Sequence, residues 1–260
     1  LRKIQGELSE FSSKKRATKR QLQRLAGLLN WACQGVRGGK FFMRRILDAI
    51  RPLRQQHHKI RLSVEFKKDV HWWLSFLKTF NGIVYYNASE THHLHVDACN
   101  TASGAFFAGD WQYSVFSKDI PAAKNLHINY KEVCAAVQGV ERWAPFWQNS
   151  NVIVHTDSTV TKAILNRGRS RLPIVNRLLR RMFWLSVRYN FNVRAIHVPG
   201  LINTLPDTVS RLHEKGKCER LVGLLANWSH SPVSAVLDVE GHMSEDSFLF
   251  LLQTNQKHFK

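Results

Sequence analysis

The sequence predicts an α/β protein: a mixed five-stranded sheet flanked by helices, preceded by an all-helical segment. Three observations predict it. Helical periodicity runs through roughly the first ninety residues. The pattern then shifts to three short, closely spaced apolar runs, the signature of strands joined by tight turns. From there helices alternate with two further apolar runs, which is how a mixed sheet covered on its faces is built.

The segment 1–90 reads as helical throughout. Thr18 can cap a helix over 19–33, with Leu22, Leu25, Leu28 and Leu29 on one face. Gly35, Gly38 and Gly39 interrupt it, and a second helix over 41–50 ends at Arg51-Pro52. A third helix over 64–80 carries the stripe Phe66, Val70, Trp73, Leu74 and Leu77, and Asn81-Gly82 is its stop. Strands follow over 92–97, 104–108 and 111–116, the last two joined by a tight turn at Gly109-Asp110. A long helix over 129–147 bears Glu132, and a fourth strand over 151–156 closes on Asp157. Helices over 158–166 and 173–190 lead to a fifth strand over 191–198, and a short helix after Pro199-Gly200 carries Asp207 and Ser210. Residues 221–228 can form one more helix, and from 229 onward the pattern fades into an appended tail. The domain boundaries expected are thus 1–90, 91–213 and 214–260.

The chain has 260 residues, 44% of them hydrophobic, enough for a packed core in one large or two modest domains. Its 38 Lys and Arg outnumber 19 Asp and Glu, giving a formal charge of +19. Such an excess implies a polyanionic partner, nucleic acid or an anionic membrane surface, the bland alternative being a solvated basic surface. Interleaving of the basic residues with Trp, Tyr and Phe favours nucleic acid. Cys33, Cys99, Cys134 and Cys218 are widely spaced, without a CxxC pair, so neither a zinc site nor a disulfide framework is indicated and a reducing compartment fits. No apolar run has the length of a membrane span, and the first residues are not a signal peptide. The expectation is an intracellular protein, cytoplasmic or nuclear, with no membrane partner. The absence of an initiator Met suggests a region of a longer polyprotein.

Chemistry concentrates in four acids, Asp97, Glu132, Asp157 and Asp207, each in a different segment of the α/β region. A carboxylate at the end of an apolar strand is costly to desolvate without a partner. Each alone has an ordinary reading: Asp97 capping a turn, Glu132 and Asp207 as acids near helix N-termini, Asp157 capping the helix that follows it. Brought together they would repel, and oxygen-ligated divalent cations are the usual remedy.

Several motifs carry a resemblance. Val96-Asp97-Ala98-Cys99 with Gly104-Ala105, Ile128-Asn129-Tyr130-Lys131-Glu132, His155-Thr156-Asp157-Ser158, and His197-Val198-Pro199-Gly200 with Asn203 and Pro206-Asp207 through Ser210-Arg211 occur in this order. As a set they resemble the ribonuclease H domains of retroelement reverse transcriptases, the DIRS/Ngaro-like retrotransposons above all. Upstream, Lys19-Arg20-Gln21-Leu22-Gln23, Gly27-Leu28-Leu29-Asn30-Trp31, Phe41-Phe42-Met43-Arg44-Arg45, and Asp69-Val70-His71-Trp72-Trp73 with Phe80-Asn81-Gly82 are similar to the thumb and connection that follow a polymerase palm. The resemblance spans about residues 10–212. Cys99 stands where the family usually has Ser, and Ser158 where it often has Asn. The polymerase motif Tyr-x-Asp-Asp is absent, so DNA synthesis is not expected of this chain.

The resemblance implies a ribonuclease H-like fold and hydrolysis of the RNA strand of an RNA–DNA hybrid, in a chain continuous with polymerase palm and fingers upstream. It implies two Mg²⁺ ions, with Mn²⁺ as substitute, roughly 3.5–4 Å apart. Asp97 would bridge them, Glu132 and Asp157 would complete one shell, and Asp207 would hold the other. Substrate grip is expected from Lys162, Arg167, Arg169 and Arg171 around Gly168, and from Arg177, Arg180, Arg181 and Arg188 on the next helix. Lys14, Lys15, Arg16, Lys19, Arg20 and Arg24 can extend this track or form a solvated face. His93 and His95 fall on one strand face but lack a Cys or carboxylate partner, so no metal role is assigned. His197 reads as structural, and His213, after the last helix, is an alternative for an assisting histidine. The competing functions are a nucleic-acid-binding module whose nuclease site is dispensable, and a DNA transposase or integrase. Transposases and integrases typically place the glutamate last among their acids, whereas here it comes second.

Overall fold

The computed structural model describes residues 1–36, 38–78 and 90–228. They divide between two compact units, Leu1–Ala88 with Arg167–Arg171, and Ser89–Asn166 with Leu172–Lys260.

The first unit contains α1 (Arg2–Ser13), β1 (Arg16–Thr18), α2 (Lys19–Ala32), α3 (Arg44–Ile50), β2 (Lys59–Arg61) and α4 (Val64–Phe76). Local chemistry starts its helices where expected. Thr18 caps α2 through a reciprocal box with Gln21, whose backbone N donates to Thr18 Oγ1 at 3.2 Å while its side chain accepts from Thr18 N at 3.0 Å. Leu22, Leu25 and Leu29 are fully buried along the α2 stripe. Ser63 caps α4 by accepting from Phe66 N, and Phe66, Val70 and Trp73 line its buried face. Asp69 shares that face because Arg45 Nη1 pairs with it at 2.8 Å.

Three expectations change here. The segment is not helical throughout: β1 and β2 form an antiparallel pair with Ala17 opposite Ile60. Strands of three residues are too short to announce an alternation, and their pairing spans two intervening helices. The helix expected over 41–50 divides into a 3₁₀ turn, Gly39–Phe42, and α3. The helix expected to reach residue 80 ends at Phe76; Phe80 and the Asn81-Gly82 stop lie outside the described residues.

The second unit contains β3 (Thr91–Ala98), β4 (Ala102–Phe107), β5 (Asp110–Val115), α5 (Phe116–Asp119), α6 (Ile128–Trp143), β6 (Asn151–Thr156), α7 (Thr159–Arg167), α8 (Pro173–Arg188), β7 (Asn192–His197), α9 (Thr204–Ser210) and α10 (Lys217–Trp228). Its five strands lie in the order β5-β4-β3-β6-β7. The first three are antiparallel and β3, β6 and β7 run parallel. This is the mixed, helix-flanked, ribonuclease H-like sheet that the sequence predicts.

The β4–β5 turn sits one residue earlier than expected. Phe107 pairs with Asp110, leaving Ala108 (φ 48°) and Gly109 (φ 88°) as the two loop residues. Asp110 instead belongs to β5, where it is buried and paired with Arg142, whose Nε reaches Oδ2 at 3.0 Å and Nη2 reaches Oδ1 at 3.2 Å, while Trp143 Nε1 donates to Oδ2 at 2.8 Å.

Alternation separates the two faces of the sheet. Leu94, Val96, Val152 and Val154 are buried on the α6 side. β4 is buried along its whole length, because α6 covers one face and α9 the other. The approach of α9 depends on Gly104, where a Cβ atom would lie 2.4 Å from Pro206 O and 2.5 Å from Ser210 N. Leu221 and Leu225 of α10 then pack with Val209 and Leu212 over Phe106 and Trp111. The helix expected over 221–228 therefore begins earlier, at Lys217, and is part of this core. The tail expected from residue 229 lies outside the described residues.

Replacing Gly104 by Ala should cost about 1–3 kcal/mol, the usual penalty for overpacking. A urea denaturation midpoint equal to that of the parent chain would contradict the close approach of α9.

Candidate functional site

Asp97 is the penultimate residue of β3, and Asp157 follows the last residue of β6. These strands are parallel neighbours with His95 opposite His155, so the next residues in phase, Asp97 and Asp157, emerge side by side on the same face. Glu132 comes to the same end of the sheet from the second turn of α6, where Thr156 Oγ1 donates to its Oε2 at 3.1 Å. Asp97, Glu132 and Asp157 each present a carboxylate oxygen, and these oxygens all lie within 4.8 Å of one another. Gly200 borders the group, and a Cβ atom there would lie 3.3 Å from Asp157 Oδ2.

The trio is electrostatically frustrated. Asp97 and Glu132 are buried, at 5% and 7% exposure. Burial pushes the Asp97 carboxyl up to about 6, the Ser210 hydrogen bond opposes the rise, and the charges of Asp157 and Asp207 add to it. Burial also pushes Glu132 up to about 8, with the charges of Asp157 and Asp97 adding to it. Among the described residues no Lys or Arg forms an ion pair with any of the three. Clustered oxygen donors without an ion-pair partner suit a hard divalent cation.

Asp207, the fourth acid expected, stands outside this trio. It lies in the first turn of α9, where Arg211 Nε donates to its Oδ1 at 2.9 Å and Lys217 Nζ approaches its Oδ2 at 3.9 Å. It is near enough that its charge raises the Asp97 pKa.

Several supporting residues had no role assigned from sequence. Ser210 Oγ donates to Asp97 Oδ2 at 2.6 Å, which orients that carboxylate from α9. Asn203 Nδ2 donates to Val96 O at 3.0 Å, tying the approach to α9 onto β3 next to Asp97. Ser158, not Asp157, caps α7 by accepting from Thr161 N, which leaves the Asp157 carboxylate to the cluster. Cys99 accepts from Ala102 N at 3.2 Å and donates to Ser210 O at 3.1 Å, so its thiol ties the β3–β4 turn to α9. The sequence motifs include Cys99, Ser158, Asn203 and Ser210, but nothing local in the sequence shows which partner each one meets.

Of the basic residues expected to grip substrate, Lys162, Arg177 and Arg181 are exposed in the second unit. Arg167, Arg169 and Arg171 group with the first unit, with Arg167 and Arg171 exposed. Arg177, Arg181, Trp184 and Arg188 recur at helical spacing on the exposed face of α8, and Arg181 Nε also pairs with Glu141 at 2.6 Å. His213 is held by Thr101 Oγ1 at 2.9 Å and Tyr113 Oη at 3.2 Å, while His197 Nε2 lies 3.0 Å from Asp157 O. No helix among the described residues is long and apolar enough to cross a membrane.

Residues 87–189 match the family described as the RNase H-like domain found in reverse transcriptase. That span includes Asp97, Glu132 and Asp157, and ends before Asp207. The enzymatic polyprotein of cauliflower mosaic virus (strain Strasbourg) is 25% identical over 245 residues, covering 82% of this chain and 32% of the relative. That of carnation etched ring virus is 25% identical over 147 residues, covering 56% of this chain and 18% of the relative. The chain thus spans a third or less of the length of these relatives. Among solved structures, RNase H1 from the archaeon Halobacterium salinarum aligns at TM-score 0.36 and 18% identity, covering 46% of this chain and 94% of that one. The foamy viral protease-reverse transcriptase in complex with RNA/DNA hybrid aligns at TM-score 0.30 and 13% identity, covering 77% of this chain and 28% of that one. The family match and the polyprotein relatives, on a fold of the expected order, support a reverse-transcriptase ribonuclease H region in this chain.

Proposed function

We propose that this chain is the thumb/connection and ribonuclease H portion of a retrotransposon reverse transcriptase, of DIRS/Ngaro type, and that it hydrolyses the RNA strand of RNA–DNA hybrids. In this reading 1–90 is the thumb and connection, 91–213 the nuclease domain, and a polymerase palm and fingers lie upstream in the full-length protein. The observation that carries it is the carboxylate trio at the joined ends of β3 and β6, two of its members buried and none in an ion pair.

Asp97, Glu132, Asp157 and Asp207 would hold two Mg²⁺, for which Mn²⁺ can substitute. Bound there, such ions supply a water of lowered pKa as nucleophile and positive charge for the departing 3′ oxygen. The chain's own residues prepare this. Ser210 fixes the Asp97 carboxylate by donating to its Oδ2. Thr156 holds Glu132 by one oxygen. Arg211 holds Asp207 through Oδ1 at 2.9 Å, a partly exposed pair that Asp207 would give up to serve as a ligand. Lys162, Arg167, Arg169, Arg171, Arg177 and Arg181 would bind phosphates, giving affinity and register without base specificity.

Asp157→Asn should abolish hybrid cleavage in Mg²⁺ yet leave hybrid binding nearly intact; cleavage equal to that of the parent would remove the ligand role. Replacing Lys162 and Arg177 together by Ala should lower affinity for all sequences alike and reduce the salt slope by about two. A slope unchanged from the parent's would place the phosphate contacts elsewhere.

The cation-free chain also has a pH signature. Glu132 titrates at about 8 when folded against an ordinary 4.5, so between these values the folded state holds a proton that the unfolded state has released. Its contribution to stability therefore falls as pH rises through that window. Glu132→Gln should flatten the decline in melting temperature between pH 5 and pH 8. Saturating Mg²⁺ should raise the parent's melting temperature at pH 8 more than the variant's. Parallel profiles for the two proteins would show that the cluster is not frustrated.

A further inference from the structure

Along the same two strands and on the same face as Asp97 and Asp157 lies a second group of donors. Alternation places His93 and His95 in phase with Asp97 on β3, and His155 in phase with Asp157 on β6. The register sets His95 directly opposite His155. His93 Nδ1 and His155 Nε2 are 2.8 Å apart, and the His95 and His155 rings stack at 4.1 Å with 13° between their planes. α9 and α10 cover this face over Phe106 and Trp111 of β4 and β5, while His93 is exposed and His95 and His155 are half-buried.

We propose that His93, His95 and His155 form a second metal site, for Zn²⁺ or a similar borderline divalent cation, bridging β3 to β6. Two imidazoles at i and i+2 on one strand, with a third across on its neighbour, let a sheet direct three nitrogens at one ion. Three His with an open fourth position is a donor set that zinc accepts. Zinc–nitrogen bonds of about 2.0–2.1 Å at a tetrahedral ion place ligand nitrogens about 3.3 Å apart. His93 and His155 therefore need to part by only about half an ångström, exchanging their shared proton for the ion. His95 needs to turn out of its stack about its side-chain bonds. Imidazole nitrogen also sorts the two sites, taking borderline ions where the carboxylates take hard ones.

The test is calorimetric titration of the full chain with Zn²⁺ in excess Mg²⁺, with Co²⁺ absorption reporting tetrahedral nitrogen ligation. One Zn²⁺ per chain is expected, with affinity unchanged by Asp97→Asn. His155→Gln should weaken binding by more than about 100-fold, beyond the loss typical of a group outside the ligand set. Far-UV circular dichroism checks its fold, and His93→Gln, at an exposed position, carries the same test if that variant does not fold. Parent-like affinity in a folded His variant, or loss of Zn²⁺ binding in Asp97→Asn, would overturn the proposal. Neither outcome depends on whether a hybrid is cleaved.

Discussion

Three carboxylates whose oxygens lie within 4.8 Å of one another, two of them buried, form the constraint on which the second unit turns. Removing ionised carboxylates from water without a partner is far costlier than any single packing interaction can offset. The chain relieves the cost by keeping protons on Asp97 and Glu132 well above the ordinary carboxylate range, or by accepting a cation. The sheet topology makes this convergence possible. Because β3 and β6 are parallel and adjacent, acids at their C-terminal ends emerge together, whereas an antiparallel pair would put them at opposite ends of the sheet. A slip of one residue in either strand would turn its acid toward the α6 core.

The rest of the unit holds that convergence in place. Gly104 lets the α9 backbone approach closely, and only at that distance can Ser210 reach Asp97. Asn203 fixes the approach to α9 through Val96 O. Leu221 and Leu225 of α10 seal the other side of α9 against Phe106 and Trp111. At the far end of α6, Arg142 and Trp143 neutralise buried Asp110, locking the helix that delivers Glu132 onto the β4–β5 hairpin. Packing, polar satisfaction and register thus agree on one placement of the acids.

What was legible in the sequence follows the range of each signal. Caps act over three residues, so Thr18 marks the start of α2 directly. Apolar runs of six to eight residues marked the strands of the main sheet to within a few positions. The β1–β2 pair was illegible because each strand is three residues long and its partner is remote. Asp110 looked like a turn residue beside Gly109, and only the distant Arg142 makes it a buried strand residue. The acids were legible as an ordered set, but their hydrogen-bond partners were not. Ser210 meets Asp97 across 113 positions, and a lone serine carries no sign of that.

Asp207 shows where motif and geometry part. Its place in the closing motif grouped it with the other acids, yet the chain gives it Arg211 and Lys217 as counter-charges and leaves its side chain 34% exposed. A partly exposed ion pair contributes little to stability, because water screens it and two long side chains must be held. Asp207 can therefore leave Arg211 at small cost, whereas Asp97 and Glu132 are buried and have no ion pair to leave. The three buried or clustered acids form a preset bed and Asp207 a movable edge. Were a cation held at the trio, its charge would weaken the grip of Arg211 on Asp207. The arrangement thus orders the acids by cost: the trio is clustered without an ion pair, and the fourth holds one that it can give up cheaply.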